Sequence, residues 1–157
     1  MPLRHSLFAI ALVSLAALSC DATSATAPVP DITQVNFASS LGINLAAFTK
    51  TADGLYYQDS PAGTGTLAVT GANVSVAYTG YFTNGTSFDT SVGKAPIHVA
   101  LGAGQVIAGW DEGIPGMKVG GTRKLIIPPS LGYGATAYAG IPANSILVFT
   151  VQLVSIP

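Results

Sequence analysis

At 157 residues the chain has room for one domain and an appendage. Hydrophobic residues make up 49% and charged residues only 8%, so Ser, Thr, Asn and Gly must solubilise the surface. With 6 basic and 7 acidic residues and a net charge of −1, there is no basic stripe, which excludes nucleic-acid binding.

Arg4 and His5 form a short basic start, and Leu7 to Leu18 is apolar apart from Ser14. That run is shorter than the roughly 20 residues a membrane-spanning helix needs. It suits the apolar core of a secretory signal. The run ends in Ala17-Leu18-Ser19-Cys20, which resembles the lipobox of bacterial lipoproteins, although leucine is more usual where Ala17 stands. The resemblance implies a signal peptide over residues 1–19, cleaved before Cys20. It also implies a lipid on Cys20 that holds the chain to a bacterial envelope membrane, on its periplasmic or outer surface. Cys20 is the only cysteine, so no internal disulfide can form and the core alone must hold the domain. Residues 21–30 are small, polar and proline-bearing, and read as a tether. In residues 31–50, Phe37, Leu41, Leu45 and Phe48 recur at near-helical spacing, which gives one short helix to pack on the main domain.

From Thr51 onward the pattern is β structure with sharp turns. Residues 54–58 make a first strand, closed by the turn at Pro61-Ala62-Gly63. Val74, Val76 and Tyr78 alternate onto one face of a second. Asn84-Gly85 predicts a primed hairpin turn, and the return strand carries Phe88 and Asp89. A strand over 123–127 follows Gly120-Gly121 and stops at Pro128-Pro129. The last, 146–154, presents Leu147, Phe149, Val151 and Leu153 on one face and belongs near the centre of the sheet.

One helix is expected in this domain, over about Ile107 to Gly113. Gly109 and Gly113 lower its propensity and Pro115 follows it, so it needs an apolar sheet face to lie on. The architecture expected is α+β: a strongly curved antiparallel sheet of five or six strands wrapped around one short helix. The only tryptophan, Trp110, sits in that helix and is too large to be left exposed.

The usual catalytic kits are missing. His5 lies in the signal and His98 stands alone on a strand, which leaves no metal site and no histidine-based triad. Gly102-Ala103-Gly104 lacks the Lys-Ser/Thr ending of a phosphate loop. Asp111 and Glu112 are adjacent, point apart on a helix, and read as a solvated face.

What remains is a set of aromatic and aliphatic residues with one carboxylate and one phenol. Residues 76–80 (VAYTG), 85–89 (GTSFD), 106–113 (VIAGWDEG), 131–134 (LGYG) and 147–149 (LVF) resemble the FKBP-type peptidyl-prolyl isomerases, in that family's order and close to its spacing. The resemblance covers residues 51–157 and rests on all five motifs together. It implies an isomerase domain there, preceded by a tether and extension over 20–50. It also implies catalytic residues Tyr78, Phe88, Asp89, Ile107, Trp110, Tyr133 and Phe149, with Val106, Ile97 and Ile141 completing the substrate site.

In that arrangement Trp110 is the floor for the substrate proline, and Tyr78, Phe88 and Phe149 are walls. The Ile107 N–H and the Tyr133 hydroxyl face substrate carbonyls. Ile97 stands where an aromatic residue is common, and the loop 135–144, which carries Ile141, is about one residue shorter than in several relatives; the part of Tyr138 in that loop is left open. The partners implied are proline-containing polypeptides of exported proteins and macrolide inhibitors, with no cofactor and no metal, for a chain acting as a monomer. Two other readings stand beside it: a non-catalytic binding module that uses the same pocket to hold a partner, and a structural envelope lipoprotein whose β domain has no pocket function.

Overall fold

The computed structural model describes residues 28–157. The signal over 1–19 and the anchor at Cys20 lie outside the described residues.

Seven strands form one antiparallel sheet: β1 (Thr49–Lys50), β2 (Tyr56–Asp59), β3 (Asn73–Phe82), β4 (Ser87–Thr90), β5 (Ile97–Ala100), β6 (Thr122–Ile127) and β7 (Leu147–Ser155). Their order is β1-β2-β6-β7-β3-β4, and β5 pairs with the first half of β3. The count passes the expected five or six because the two-residue strand β1 adds itself beside β2. β7 lies between β6 and β3, at the centre where its alternating apolar pattern belongs. Val74, Val76, Leu125, Ile127, Leu147, Val151 and Leu153 bury their side chains on the face that holds the helix.

The helix α1 runs Ala108–Gly113, with Ile107 as an extended N-cap residue. Its glycines are what let it dock. A Cβ on Gly109 would lie 2.6 Å from Ile127 Cγ2, and one on Gly113 would lie 2.8 Å from Leu125 Cδ2. Backbone therefore rests directly on β6, and the apolar contact offsets the poor helix propensity. The far end is capped by Arg123, whose Nη1 donates to the carbonyls of Gly113 (2.8 Å) and Pro115 (3.1 Å). The same guanidinium forks onto Asp59 through Nε (2.6 Å) and Nη2 (2.8 Å) and lies over the Tyr57 ring. A buried cation is tolerable when paired and hydrogen-bonded in this way.

Asp111 corrects the reading of a solvated face. Its carboxylate accepts the backbone N–H groups of Gly102 (2.8 Å) and Gly104 (3.0 Å), so it ties the glycine loop to the first turn of α1. The Asn84-Gly85 turn is also not the primed type. Gly85 has φ 86° while Asn84 has no positive φ, the Gly85 N–H reaches Phe82 O, and the Phe82 N–H reaches Thr86 O. That is a longer hairpin loop with a single left-handed residue.

Residues 31–50 contain no α-helix. Three 3-10 turns occupy Ile32–Gln34, Ser39–Leu41 and Leu45–Ala47, because Gly42 in the left-handed region (φ 58°) stops the helical path and Asn44 caps a new turn. The segment forms a strap over the outer face of the sheet. Ile32 and Leu41 are buried there against Tyr56, Ile126, Ile146 and Val148.

Candidate functional site

A cavity of about 180 Å³ opens between α1, β3, β4 and the loop after β6. Trp110 is its floor, 4% exposed. Tyr78 meets the indole edge-on at 5.0 Å and Phe149 does so at 5.4 Å, the edge-to-face arrangement that aromatic quadrupoles favour. Phe88 closes the wall against Phe149 at 5.5 Å, again edge to face. The indole Nε1 is buried and has no acceptor among the described residues, so packing alone fixes the ring.

Register explains how these groups converge. Gly80 pairs with Phe149 on one side and with Asp89 on the other. A Cβ at Gly80 would sit 2.6 Å from the Phe88 ring and 2.8 Å from the Phe149 ring, so only glycine lets both rings close over β3. Phe88 and Asp89 are adjacent and would face opposite sides of a regular strand. The register shifts beside Gly80, with Gly80 opposite Asp89 and Tyr81 opposite Ser87. Phe88 is the unpaired extra residue of a bulge, which re-aims it so that both side chains line the cavity.

The polar groups are few and mostly engaged. Asp89 Oδ2 accepts the Tyr78 hydroxyl at 2.5 Å, and Oδ1 accepts the Thr90 N–H at 2.8 Å. Burial, and then the hydrogen bond to Asp89, push the Tyr78 phenol up to about 12. Burial, followed by the nearby Tyr138 and Asp89, also raises Tyr133. Both phenols are therefore neutral near pH 7. The Ile107 N–H meets no acceptor among the described residues, since Ile107 stands just before the helix begins.

Tyr78, Phe88, Asp89, Ile97, Val106, Ile107, Trp110, Tyr133 and Phe149 all line the cavity. Ile141 does not. It is buried in the core, where the Tyr138–Ile141 backbone pair turns it inward. Gln105 lines the cavity unforeseen; its Oε1 accepts the Ala100 N–H, a bond no sequence pattern announces. Tyr138, given no role from sequence, is 59% exposed and stacks on Tyr133 with ring centroids 4.9 Å apart.

Residues 65–154 match the family described as FKBP-type peptidyl-prolyl cis-trans isomerase. An FK506-binding protein of Neisseria meningitidis serogroup B is 49% identical over 105 residues, which is 66% of this chain and 96% of that protein. The chain belongs to the FKBP family. The FK506-binding protein 4 of Mycosarcoma maydis is 47% identical over 108 residues, which is 69% of this chain but 29% of that relative. This chain thus spans less than a third of the fungal FKBP it matches. The crystal structure of FkpA from Escherichia coli is similar with a TM-score of 0.65 and 40% identity, covering 70% of this chain and 51% of that one. The FKBP match begins after the strap, which is therefore an addition to the matched part.

Proposed function

We propose that this chain catalyses cis-trans isomerisation of X-Pro peptide bonds in exported proteins, from a lipid anchor on Cys20 in a bacterial envelope. One observation carries the catalytic part: aromatic and aliphatic side chains make up most of the cavity lining, and its single carboxylate is already hydrogen-bonded at both oxygens. Its carboxylate is engaged in holding Tyr78 and Thr90, and isomerisation needs no base.

The barrier of about 18–20 kcal/mol comes from C–N double-bond character. Water bonded to the carbonyl stabilises the charge-separated planar amide more than the twisted one. A pocket that strips this water and binds the twisted form lowers the barrier by differential binding. In this reading the proline ring rests on Trp110 between Tyr78, Phe88 and Phe149. The Ile107 N–H and the Tyr133 hydroxyl hold carbonyls on either side. Asp89 keeps the Tyr78 ring in place. A macrolide occupies the same pocket, and the chain acts as a monomer.

A protease-free isomerisation assay on an X-Pro peptide series, with and without a macrolide, tests the reading. Turnover that the macrolide blocks supports it. Macrolide binding without turnover sinks the catalytic reading and leaves a binding module. The anchor rests on the sequence alone, and the intact mass of membrane-extracted protein tests it: an unmodified N-terminus beyond residue 20 rejects a lipid on Cys20.

A further inference from the structure

The walls of the cavity are not equally supported. β4, which carries Phe88 and Asp89, is a four-residue edge strand that pairs only with β3, and a bulge interrupts even that pairing. The two residues depend for their position on the hairpin loop between Phe82 and Ser87. Phe82 packs on Phe88 with ring centroids 5.0 Å apart, and the loop turns on the Gly85 N–H bond to Phe82 O. The strap lies against the outside of this loop.

Three contacts join strap and hairpin. The Ala38 N–H donates to Thr83 O at 2.9 Å. Gly85 is seated so closely on the strap that a Cβ there would lie 2.7 Å from Ser40 Oγ and 3.2 Å from Ala38 Cβ. Tyr81, at the end of β3, packs into the same outer cluster as Ile32 and Leu41. The strap is itself held down by that cluster and by the Lys124 ammonium, which donates to Leu41 O.

We infer that residues Ala38 to Ser40 are positioning residues for the catalytic hairpin: they brace its loop from outside and so hold Phe88 and Asp89 at the pocket. The inference rests on the isomerase reading for its effect on turnover, but the brace itself can be measured without turnover. Among the described residues no hydrogen bond joins the strap to a cavity residue, and its contacts with the hairpin fall at Tyr81, Thr83 and Gly85. An edge strand with one neighbour frays more readily than a central one, and a second fixed point at its loop narrows the geometries the wall can sample.

Ala38→Pro is the decisive variant. Ala38 has φ −58° and ψ 139°, which proline adopts without strain, so the change removes the N–H and keeps the backbone path. Ser40→Leu is a second probe, which pushes on the loop where Ser40 Oγ now meets Gly85. Asn44→Ala is the control. It removes the cap on the Ala46 N–H, weakening the strap away from the hairpin. Three quantities are measured on the full chain: kcat and KM on an X-Pro peptide, the unfolding midpoint, and hydrogen exchange at the amides of Phe82 and Gly85.

Ala38→Pro and Ser40→Leu are expected to speed exchange at both amides and to lower kcat/KM by about three- to tenfold, the rate equivalent of one hydrogen bond. Asn44→Ala is expected to leave kcat/KM and hairpin exchange unchanged. Wild-type exchange and turnover in both probe variants would overturn the inference. So would equal losses in the probes and the control, which would mean that the strap supports only overall stability. A wild-type chain without turnover would reject the isomerase reading, while the exchange measurement would still decide the brace.

Discussion

Replacing Asp89 by Asn separates positioning from proton transfer. The carboxylate accepts from the Tyr78 hydroxyl at 2.5 Å and from the Thr90 N–H at 2.8 Å. Asparagine keeps one acceptor oxygen for the Thr90 N–H, while its amide nitrogen can only donate, so the Tyr78 hydroxyl must turn to accept from it and neither contact is charged. A hydrogen bond to a charged group is worth about 1.5–3 kcal/mol and a neutral one about 0.5–1.5. Asp89 is exposed, so the difference falls at the low end, about 0.5–1 kcal/mol. If that stabilisation is needed only to hold the Tyr78 wall in the transition state, kcat/KM falls by about two- to sixfold.

Tyr78→Phe removes the other half of the pair and is expected to cost a similar factor. The double variant is expected to cost little more than either single one, because the two residues act as a unit. Ultraviolet titration supplies an independent check: without the Asp89 charge the Tyr78 phenol titrates lower, yet still above its ordinary value, since burial is the larger cause of its rise. Kinetics on one peptide series and the titration together decide the matter. A loss beyond about a thousandfold in Asp89→Asn would show general acid–base chemistry and refute the desolvation mechanism.

Three further outcomes are expected. Trp110→Leu should lower macrolide affinity more than tenfold, by the loss of the floor, while costing less than about 3–5 kcal/mol of stability, the range for truncation to alanine, because it also removes a buried N–H that has no acceptor; wild-type affinity in a folded variant would remove Trp110 from the site. Gly109→Ala should destabilise by about 1–3 kcal/mol despite alanine's better helix propensity, since the new methyl meets the fully buried Ile127, and thermal unfolding reads the sign. The raised Tyr78 pKa favours the protonated phenol in the folded chain, so its contribution to stability is complete below pH 10.0 and is lost as pH rises towards about 12. Activity should accordingly stay flat between about pH 6 and about pH 9, and a bell-shaped profile there would contradict the mechanism.

Eight of the cavity residues were legible in sequence because they sit in short motifs whose glycines and aromatics keep a fixed order, and a ninth, Ile97, was placed outside those motifs by the family resemblance. The remaining features depend on backbone events that leave no periodic mark. The bulge at Phe88 is one, since alternation would have sent Phe88 and Asp89 to opposite faces. Ile141 is another: its loop folds back on itself through the Tyr138–Ile141 pair and carries the side chain into the core. In the strap, Phe37, Leu41, Leu45 and Phe48 do suggest a helix, but Gly42 and Asn44 fall in the middle of that spacing and were the signal against it. Asp111 was misread for the opposite reason. A charged residue on an exposed helix looks solvated until the loop that needs its oxygens is in view.

The glycines that make α1 a poor helix are the condition for the site. A stronger helix former at position 109 would lift the backbone off Ile127, and Trp110, the next residue, would rise with it into the cavity. The same trade is made at Gly80, where a side chain would part Phe88 from Phe149. Local propensity has been given up at both positions so that backbone can approach side chain closely. The stability comes back elsewhere: from Arg123, which fastens the end of α1 to β2 through Asp59, and from Asp111, which fastens its start to the glycine loop. Those two charged residues lie outside the cavity, whose one carboxylate is that of Asp89. The proposed mechanism, which lowers a barrier by excluding water, is served when charges are held in the scaffold, as those of Arg123 and Asp111 are.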